Sequence, residues 1–195
     1  MDSFLFCLIL TTAIAMGGRD QLMVAQFSDA LATRGGGEVR RPVPLLMLGV
    51  VSAFVTAAAM SFGALTIAAM LPPRAAHMLI AFALAIAAFE CAWPVRIKPV
   101  REPTRSLGAI ALVLGWRQIG DAARFVIFAL AAEATFAGTA FLGGALGGAA
   151  ATTLGWTLGK QELARWPLIW WRRALALALI CAALVIGLNA RYQFR

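Results

Sequence analysis

Acidic side chains interrupt two of the long apolar stretches of this sequence, in short polar clusters at residues 17–21 and 117–124. The candidate ligands in these clusters are Asp20, Gln118 and Asp121, which all carry side-chain oxygens. Hard divalent cations such as Mn²⁺ and Ca²⁺ bind oxygen ligands, several of them charged. Ionisable residues within membrane segments are rare and usually mark a functional pathway. The two clusters could therefore supply oxygen ligands to a cation, and a functional pathway is the default interpretation of their charges.

Three arginines lie in the same clusters and oppose a cation: Arg19, Arg117 and Arg124. At an effective dielectric of ~20, two like charges 4 Å apart repel by roughly 4 kcal/mol. Arg117 and Arg124 could instead be neutralised, because a continuous helix would place both on the same face as Asp121. One alternative is therefore a buried salt-bridge network in a packing subunit that does not transport. Another is an exporter whose charges hold the amine and the carboxylate of a small amino-acid-like solute.

The composition excludes a soluble enzyme. Of the 195 residues, 62% are hydrophobic and 13% are charged, whereas soluble domains average about 45–50% apolar and about 25% charged residues. Six apolar segments follow one another: 4–31, 43–71, 75–93, 107–132, 135–158 and 168–189. A spanning helix needs about 20 residues, and the segments are Ala/Leu-rich without the alternation of barrel strands. The chain is thus predicted to be an all-α polytopic membrane protein with six transmembrane helices.

Basic residues are concentrated in alternate connections between these segments. The first, third and fifth connections hold eleven of the 17 Lys and Arg residues: Arg34, Arg40, Arg41, Arg96, Lys98, Arg101, Arg105, Lys160, Arg165, Arg172 and Arg173. The termini and the other connections hold three: Arg74, Arg191 and Arg195. The positive-inside rule then places both termini outside the cell, with the lipid bilayer of a bacterial inner membrane as partner. This topology accounts for the net charge of +8 without nucleic acid.

The two polar clusters indicate an internal repeat. Gly17 and Gly120 are 103 residues apart, and each lies at a polar break within an apolar segment. Three helices per half would make the second half enter the membrane from the opposite side, as in the inverted repeats of many transporters. We expect one membrane domain, residues 1–195, with repeats over about 1–93 and 106–195 and a cytoplasmic linker over about 94–105. The two glycines would allow the helix breaks that form the substrate site.

At these residues the sequence resembles the GDT-type manganese/calcium transporters, which carry an E-x-G-D-K-[TS] motif twice. The second copy corresponds to Gln118-Ile119-Gly120-Asp121, in which Asp121 keeps the Asp position. In the first copy, Ala15 and Gly18 stand at the Glu and Asp positions, and Asp20 is displaced by two residues. The resemblance implies an ion- or proton-coupled transporter of Mn²⁺ or Ca²⁺ that works by alternating access. From the apolar composition we expect no enzymatic activity; we also expect no bound cofactor, and a homodimer is among the assemblies we consider.

Two further patterns concern packing. The glycine-rich stretch 138–148 contains glycine pairs at small-xxx-small spacing, which permits close helix packing. Trp166, Trp170 and Trp171 with Arg172 and Arg173 predict an anchor at the cytoplasmic membrane surface. A rim salt bridge between Glu90 and Arg96 is also expected.

Overall fold

The computed structural model describes residues 2–35, 38–94, 106–134 and 136–192. Eight helices are found there: α1 (Asp2–Ala15), α2 (Arg19–Leu31), α3 (Val43–Ala69), α4 (Pro73–Ala92), α5 (Leu107–Ile119), α6 (Ala122–Glu133), α7 (Ala137–Leu163) and α8 (Leu168–Tyr192). A short antiparallel ribbon pairs β1 (Thr33–Gly35) with β2 (Glu38–Arg40) inside the first connection, which was expected to be a loop. Antiparallel pairing gives the backbone of this connection hydrogen-bond partners.

The all-helical prediction is confirmed. Predicted segments one and four each form two helices, α1 with α2 and α5 with α6, and the other segments form one helix each. In the described residues, three helices are long and apolar enough to cross a membrane: α3, α4 and α8. Helices α1 and α5 have 14 and 13 residues, fewer than the about 20 that a span needs. The predicted linker lies outside the described residues, except for Pro94.

Prolines mark the starts of the three candidate spanning helices. Pro44 lies in the first turn of α3, Pro73 is the first residue of α4, and Pro167 immediately precedes α8. A proline is tolerated there because the first backbone N–H groups of a helix have no partner within the helix. Large apolar side chains on these helices, such as Phe62, Phe82 and Leu177, are exposed. This apolar surface suggests contact with a lipid bilayer.

Helix α7 is the packing partner of the first broken segment. It packs against both α1 and α2, while α3 packs against α5 and α6, and α4 packs against α8. An ideal Cβ placed on Gly143 would lie 2.6 Å from the Phe4 carbonyl oxygen, and one on Gly147 would lie 2.8 Å from that of Leu8. Helices α1 and α7 therefore approach at a distance that only glycine permits at these two positions.

We expect Gly147→Ala to destabilise the protein, because its methyl group would press on the backbone of α1. Overpacking of this kind costs about 1–3 kcal/mol. The matched control is Gly63→Ala in α3, where an added Cβ meets nothing within 4 Å and where alanine is favoured in a helix by ~1 kcal/mol. Thermal unfolding in detergent should show a lower midpoint for Gly147→Ala only. Equal midpoints for the two variants would contradict the close approach.

Candidate functional site

The first helix break is held by Gly17 and Gln21. Gly17 has a φ of 70°, a left-handed conformation that side chains other than glycine adopt only at a cost. Its backbone N–H donates to Gln21 Oε1 at 2.7 Å, and Gln21 Nε2 donates to the Ala151 carbonyl of α7 at 3.1 Å. The fully buried amide of Gln21 thus ties the break to α7.

The second break has a different cause from the one predicted. Gly120 has φ −91° and ψ 10°, so its backbone does not require glycine. Asp121 instead caps α6, because its Oδ2 accepts a hydrogen bond from the Ala123 backbone N–H at 3.3 Å. Aspartate is among the preferred helix N-caps, since its side chain satisfies a free N–H of the first turn. The start of α6 therefore depends on Asp121.

Asp20 and Asp121 line the same small cavity. Both are buried, with 8% and 3% of their surface exposed. The cavity has a volume of about 10 Å³, and Gln21 and Arg124 contribute to its wall. This is close to the minimum space that one water molecule needs. Two predicted ligands that are about a hundred residues apart in sequence therefore meet at one point, where the two breaks face α7.

Each aspartate has an oxygen without a partner. Asp20 Oδ1 and Asp121 Oδ1 are buried and accept no hydrogen bond. Among the ion pairs of the described residues, none within 4.0 Å involves either aspartate. The two breaks touch here, since an ideal Cβ on Gly18 would lie 3.4 Å from Asp121 Oδ1. Buried carboxylates without donors are unfavourable, and a bound cation or proton would relieve that cost.

Gln118, the third predicted ligand, lies outside this cavity wall. It is fully buried, and its Oε1 accepts a hydrogen bond from Ser52 Oγ of α3 at 2.6 Å and lies 3.2 Å from Thr56 Oγ1. Thr56 Oγ1 in turn accepts a hydrogen bond from Arg124 Nε at 2.7 Å. A polar chain thus runs from the cavity wall through α3 to Gln118. The amide oxygen of Gln118 is engaged in holding α5 to α3.

Arg19, Arg117 and Arg124, the three predicted charge partners, lie in different surroundings. Arg19 Nε lies 3.0 Å from Glu90 Oε1, and Arg117 is exposed at the end of α5. Only Arg124 reaches the cavity. The alternative in which a continuous helix places Arg117, Asp121 and Arg124 on one face is not found, because the helix is broken between residues 119 and 122, although Asp121 and Arg124 line one cavity. The cavity wall therefore carries two carboxylates and one guanidinium group, if all are ionised.

A buried ion pair joins Glu90 to Arg172. Arg172 is 5% exposed, and its Nη2 lies 3.0 Å from Glu90 Oε2 and 2.8 Å from the Glu90 carbonyl oxygen. Arg172 is thus buried, whereas its neighbouring tryptophans suggested a surface anchor. Arg96, the expected partner of Glu90, lies outside the described residues. The sequence signal for a buried partner was the apolar surrounding of Glu90, with alanines at 87 and 88 and a cysteine at 91.

The described part of the chain holds no group of three or more His, Cys, Asp or Glu side chains that could bind a metal ion. A cation at the two aspartates would need further oxygens from amides, hydroxyls, carbonyls or water. Thr152 lines the same cavity and carries a hydroxyl oxygen, whereas Gln21 lines it with an amide oxygen that already accepts the Gly17 N–H. The site can thus offer two charged ligands and a small number of neutral ones.

We expect Thr56→Val to destabilise the protein, because it removes the hydrogen-bond acceptor of buried Arg124. An unsatisfied buried group costs about 1–3 kcal/mol, more when it is charged. Thr66→Val is the matched control, since Thr66 lies exposed on the same helix and bonds only to its own backbone. The free energy of unfolding in detergent and denaturant measures the difference. A loss for Thr66→Val as large as for Thr56→Val would argue against the polar chain.

Comparison with protein-family models, with curated proteins and with solved structures finds no match for this chain. What the protein does is therefore inferred from its own residues and their geometry. The residues with most weight are the two aspartates at the helix breaks, because they are buried, close together and incompletely partnered.

Proposed function

We propose that this protein is a membrane transporter that moves a cation past Asp20 and Asp121. One observation carries the proposal: two aspartates from separate helix breaks line one cavity, and each has an oxygen without a partner. Placing an ionisable residue in a membrane segment costs about 2.5–3.5 kcal/mol on insertion scales. Residues retained at that cost, lining one cavity and incompletely partnered, fit a substrate path better than a packing role.

The charge around the cavity favours a cation over an anion. With both aspartates and Arg124 ionised, the cavity wall has a net charge of −1. Arg19 is engaged with Glu90, and Arg117 is exposed, so neither lines the wall. At an effective dielectric of ~20, a unit charge 4 Å from each carboxylate gains roughly 4 kcal/mol from each. Of the three arginines only Arg124 lines the wall, while Arg117 acts on Asp20, and Arg172 on Asp121, from outside it.

The substrate we propose is a divalent metal ion, Mn²⁺ or Ca²⁺, as in the GDT-type family that the sequence resembles. Both ions bind carboxylate oxygens together with neutral oxygens. Coupling to protons or to another ion belongs to the same proposal. Asp20 and Asp121 would hold the ion, and Gly17 and Asp121 would keep the helices broken around it. Gln118 would serve as a positioning residue that anchors α5 to α3.

Most of the packing supports an inverted repeat, the exception being that α4 packs against α6 whereas the counterpart pair, α8 with α2, is not closely packed in the described residues. The first broken segment, α1 with α2, packs against α7, and the second, α5 with α6, packs against α3. In an inverted repeat α3 corresponds to α7, so each broken segment packs against the equivalent helix of the other half. Helices α4 and α8 also correspond to each other, and they pack together. If each broken segment crosses the membrane once, the chain has six spans with both termini outside a bacterial inner membrane. Rocking one half against the other would then expose the aspartates alternately to each side.

One alternative function has an observation in its favour. The described residues hold no group of three or more metal-binding side chains, which fits a chain that has lost its ion ligands and no longer transports. The other alternative, export of an amino-acid-like solute, requires far more space than about 10 Å³. We therefore retain only the non-transporting subunit as second candidate.

We expect Asp20→Asn and Asp121→Asn to reduce uptake of Mn²⁺ or Ca²⁺ into liposomes that contain the purified protein. The reduction should be tenfold or more, since loss of even an outer partner of a metal ligand typically costs about 10–100-fold in affinity. Glu133→Gln is the matched control, because Glu133 is an exposed acid at the other end of α6. Uptake that is unchanged in both aspartate variants would exclude these residues from the path.

The second candidate makes the opposite prediction for the same proteins. If the protein is a packing subunit, its wild type would transport no metal. The double variant Asp20→Asn and Asp121→Asn would then remain folded and become more stable. Removing two incompletely partnered buried charges relieves their desolvation cost. Uptake by the wild type therefore separates a lost transporter from an active one, and the free energy of unfolding shows that the variants remain folded.

A further inference from the structure

A larger cavity lies apart from the two aspartates, between the end of α4, the end of α7 and the start of α8, with Gly17 and Leu22 at the first helix break also in its wall. Its volume is about 400 Å³, within the range of about 300–1,000 Å³ typical of ligand pockets. Much of its wall is apolar, with Trp93, Leu163, Trp166 and Ile169 among the lining residues. None of its lining residues also lines the aspartate cavity. The two are separate sites.

The polar part of this wall is positively charged. Lys160, Arg172 and Arg173 line the cavity, and no acidic residue of the described chain does. Glu90, the acid nearest to Arg172, is shared between Arg172 and Arg19. Asp29 accepts the Lys160 backbone N–H at 2.7 Å, so this acid engages the main chain of Lys160. The cavity thus combines a net positive charge with a largely apolar wall.

Arg172 is incompletely partnered. Its Nη2 bonds to Glu90, but its Nε and Nη1 are buried and have no hydrogen-bond partner. A buried guanidinium with two unsatisfied nitrogens is unfavourable. The fork of an arginine side chain matches the oxygens of a phosphate or carboxylate group. Its two unpartnered nitrogens have almost no accessible surface, so Arg172 would act on an anion in the cavity through its charge, while exposed Lys160 and Arg173 would supply the donors.

The apolar wall continues beyond the cations. A second cavity of about 240 Å³ shares Trp166 and Leu168 with the first and is otherwise lined by Met16, Pro167 and Trp171. A free inorganic anion has no apolar part that could contact this surface. A molecule with an anionic head and an apolar chain would fit both parts.

We propose that this cavity binds an anionic phospholipid, with its phosphate at Lys160, Arg172 and Arg173 and an acyl chain along the tryptophan-lined wall. The positive-inside topology places this end of α7 and α8 at the cytoplasmic leaflet, where acidic lipids attract basic residues. Arg173 also lies over the Trp170 ring at 5.4 Å, a cation–π contact that holds the side chain near the interface. The lipid site does not depend on whether the protein transports.

Native mass spectrometry of the purified protein, without added metal, tests this site. We expect phosphatidylglycerol to bind more tightly than phosphatidylcholine, and Lys160→Gln or Arg173→Gln to weaken the former by about fivefold each. These two residues are exposed, so the variants should fold, whereas Arg172→Gln would also break the pair with Glu90. Arg165→Gln is the control: it lies in the same connection, pairs with exposed Glu162 and does not line the cavity.

Two results would overturn the lipid site. The first is equal affinity for the two lipids in the wild type, or an equal loss in Arg165→Gln, which would reduce the effect to general surface charge. The second is binding of inorganic phosphate with the affinity of phosphatidylglycerol, which would reassign the cavity to a free anion. Metal uptake has no part in this measurement, so the transport proposal can fail while the lipid site stands.

Discussion

Helix α7 touches both helix breaks, and its small residues determine how closely the broken segments can meet. The Ala151 carbonyl oxygen accepts a hydrogen bond from the Gln21 side-chain amide, and an ideal Cβ on Gly155 would lie 2.7 Å from the Gln21 backbone carbonyl oxygen. Gly148 faces the guanidinium of Arg124, 3.0 Å from its ideal Cβ. Larger side chains at these positions would push α2 and α6 outwards. The burial of Asp20 and Asp121 in one cavity depends on this narrow face.

Arg19 and Asp20, which are adjacent at the first break, lie in surroundings of opposite charge. Asp20 lies at a cavity with two carboxylates and one guanidinium, while Arg19 joins a cluster in which two guanidinium groups share Glu90. The left-handed turn at Gly17 allows this division, because a helix continued from α1 would orient the two side chains differently. A site lined by two carboxylates and a cluster with an excess of guanidinium groups are thus separated across one turn of chain.

Much of the fold could be predicted from local sequence patterns. Long Ala/Leu-rich runs, bounded by prolines and basic residues, were enough to locate the helices, and the polar clusters at 17–21 and 117–124 coincide with the two breaks. The physical basis is short-range, since backbone hydrogen bonding and local apolar surface decide where a helix forms and stops. The ribbon at Thr33–Gly35 and Glu38–Arg40 could not be foreseen, because its three-residue strands are too short to carry a pattern.

The sequence by itself determined that this chain is helical and apolar, and that four of its nine acids, at 20, 29, 90 and 121, lie within apolar segments. Only the tertiary structure decided which charges meet. Arg117 and Asp121 are four residues apart yet separated by the break, whereas Glu90 and Arg172 are distant in sequence and lie 3.0 Å apart. Pairing across such distances depends on how helices pack, and packing depends on shape complementarity over whole faces. No spacing within a single segment encodes that information.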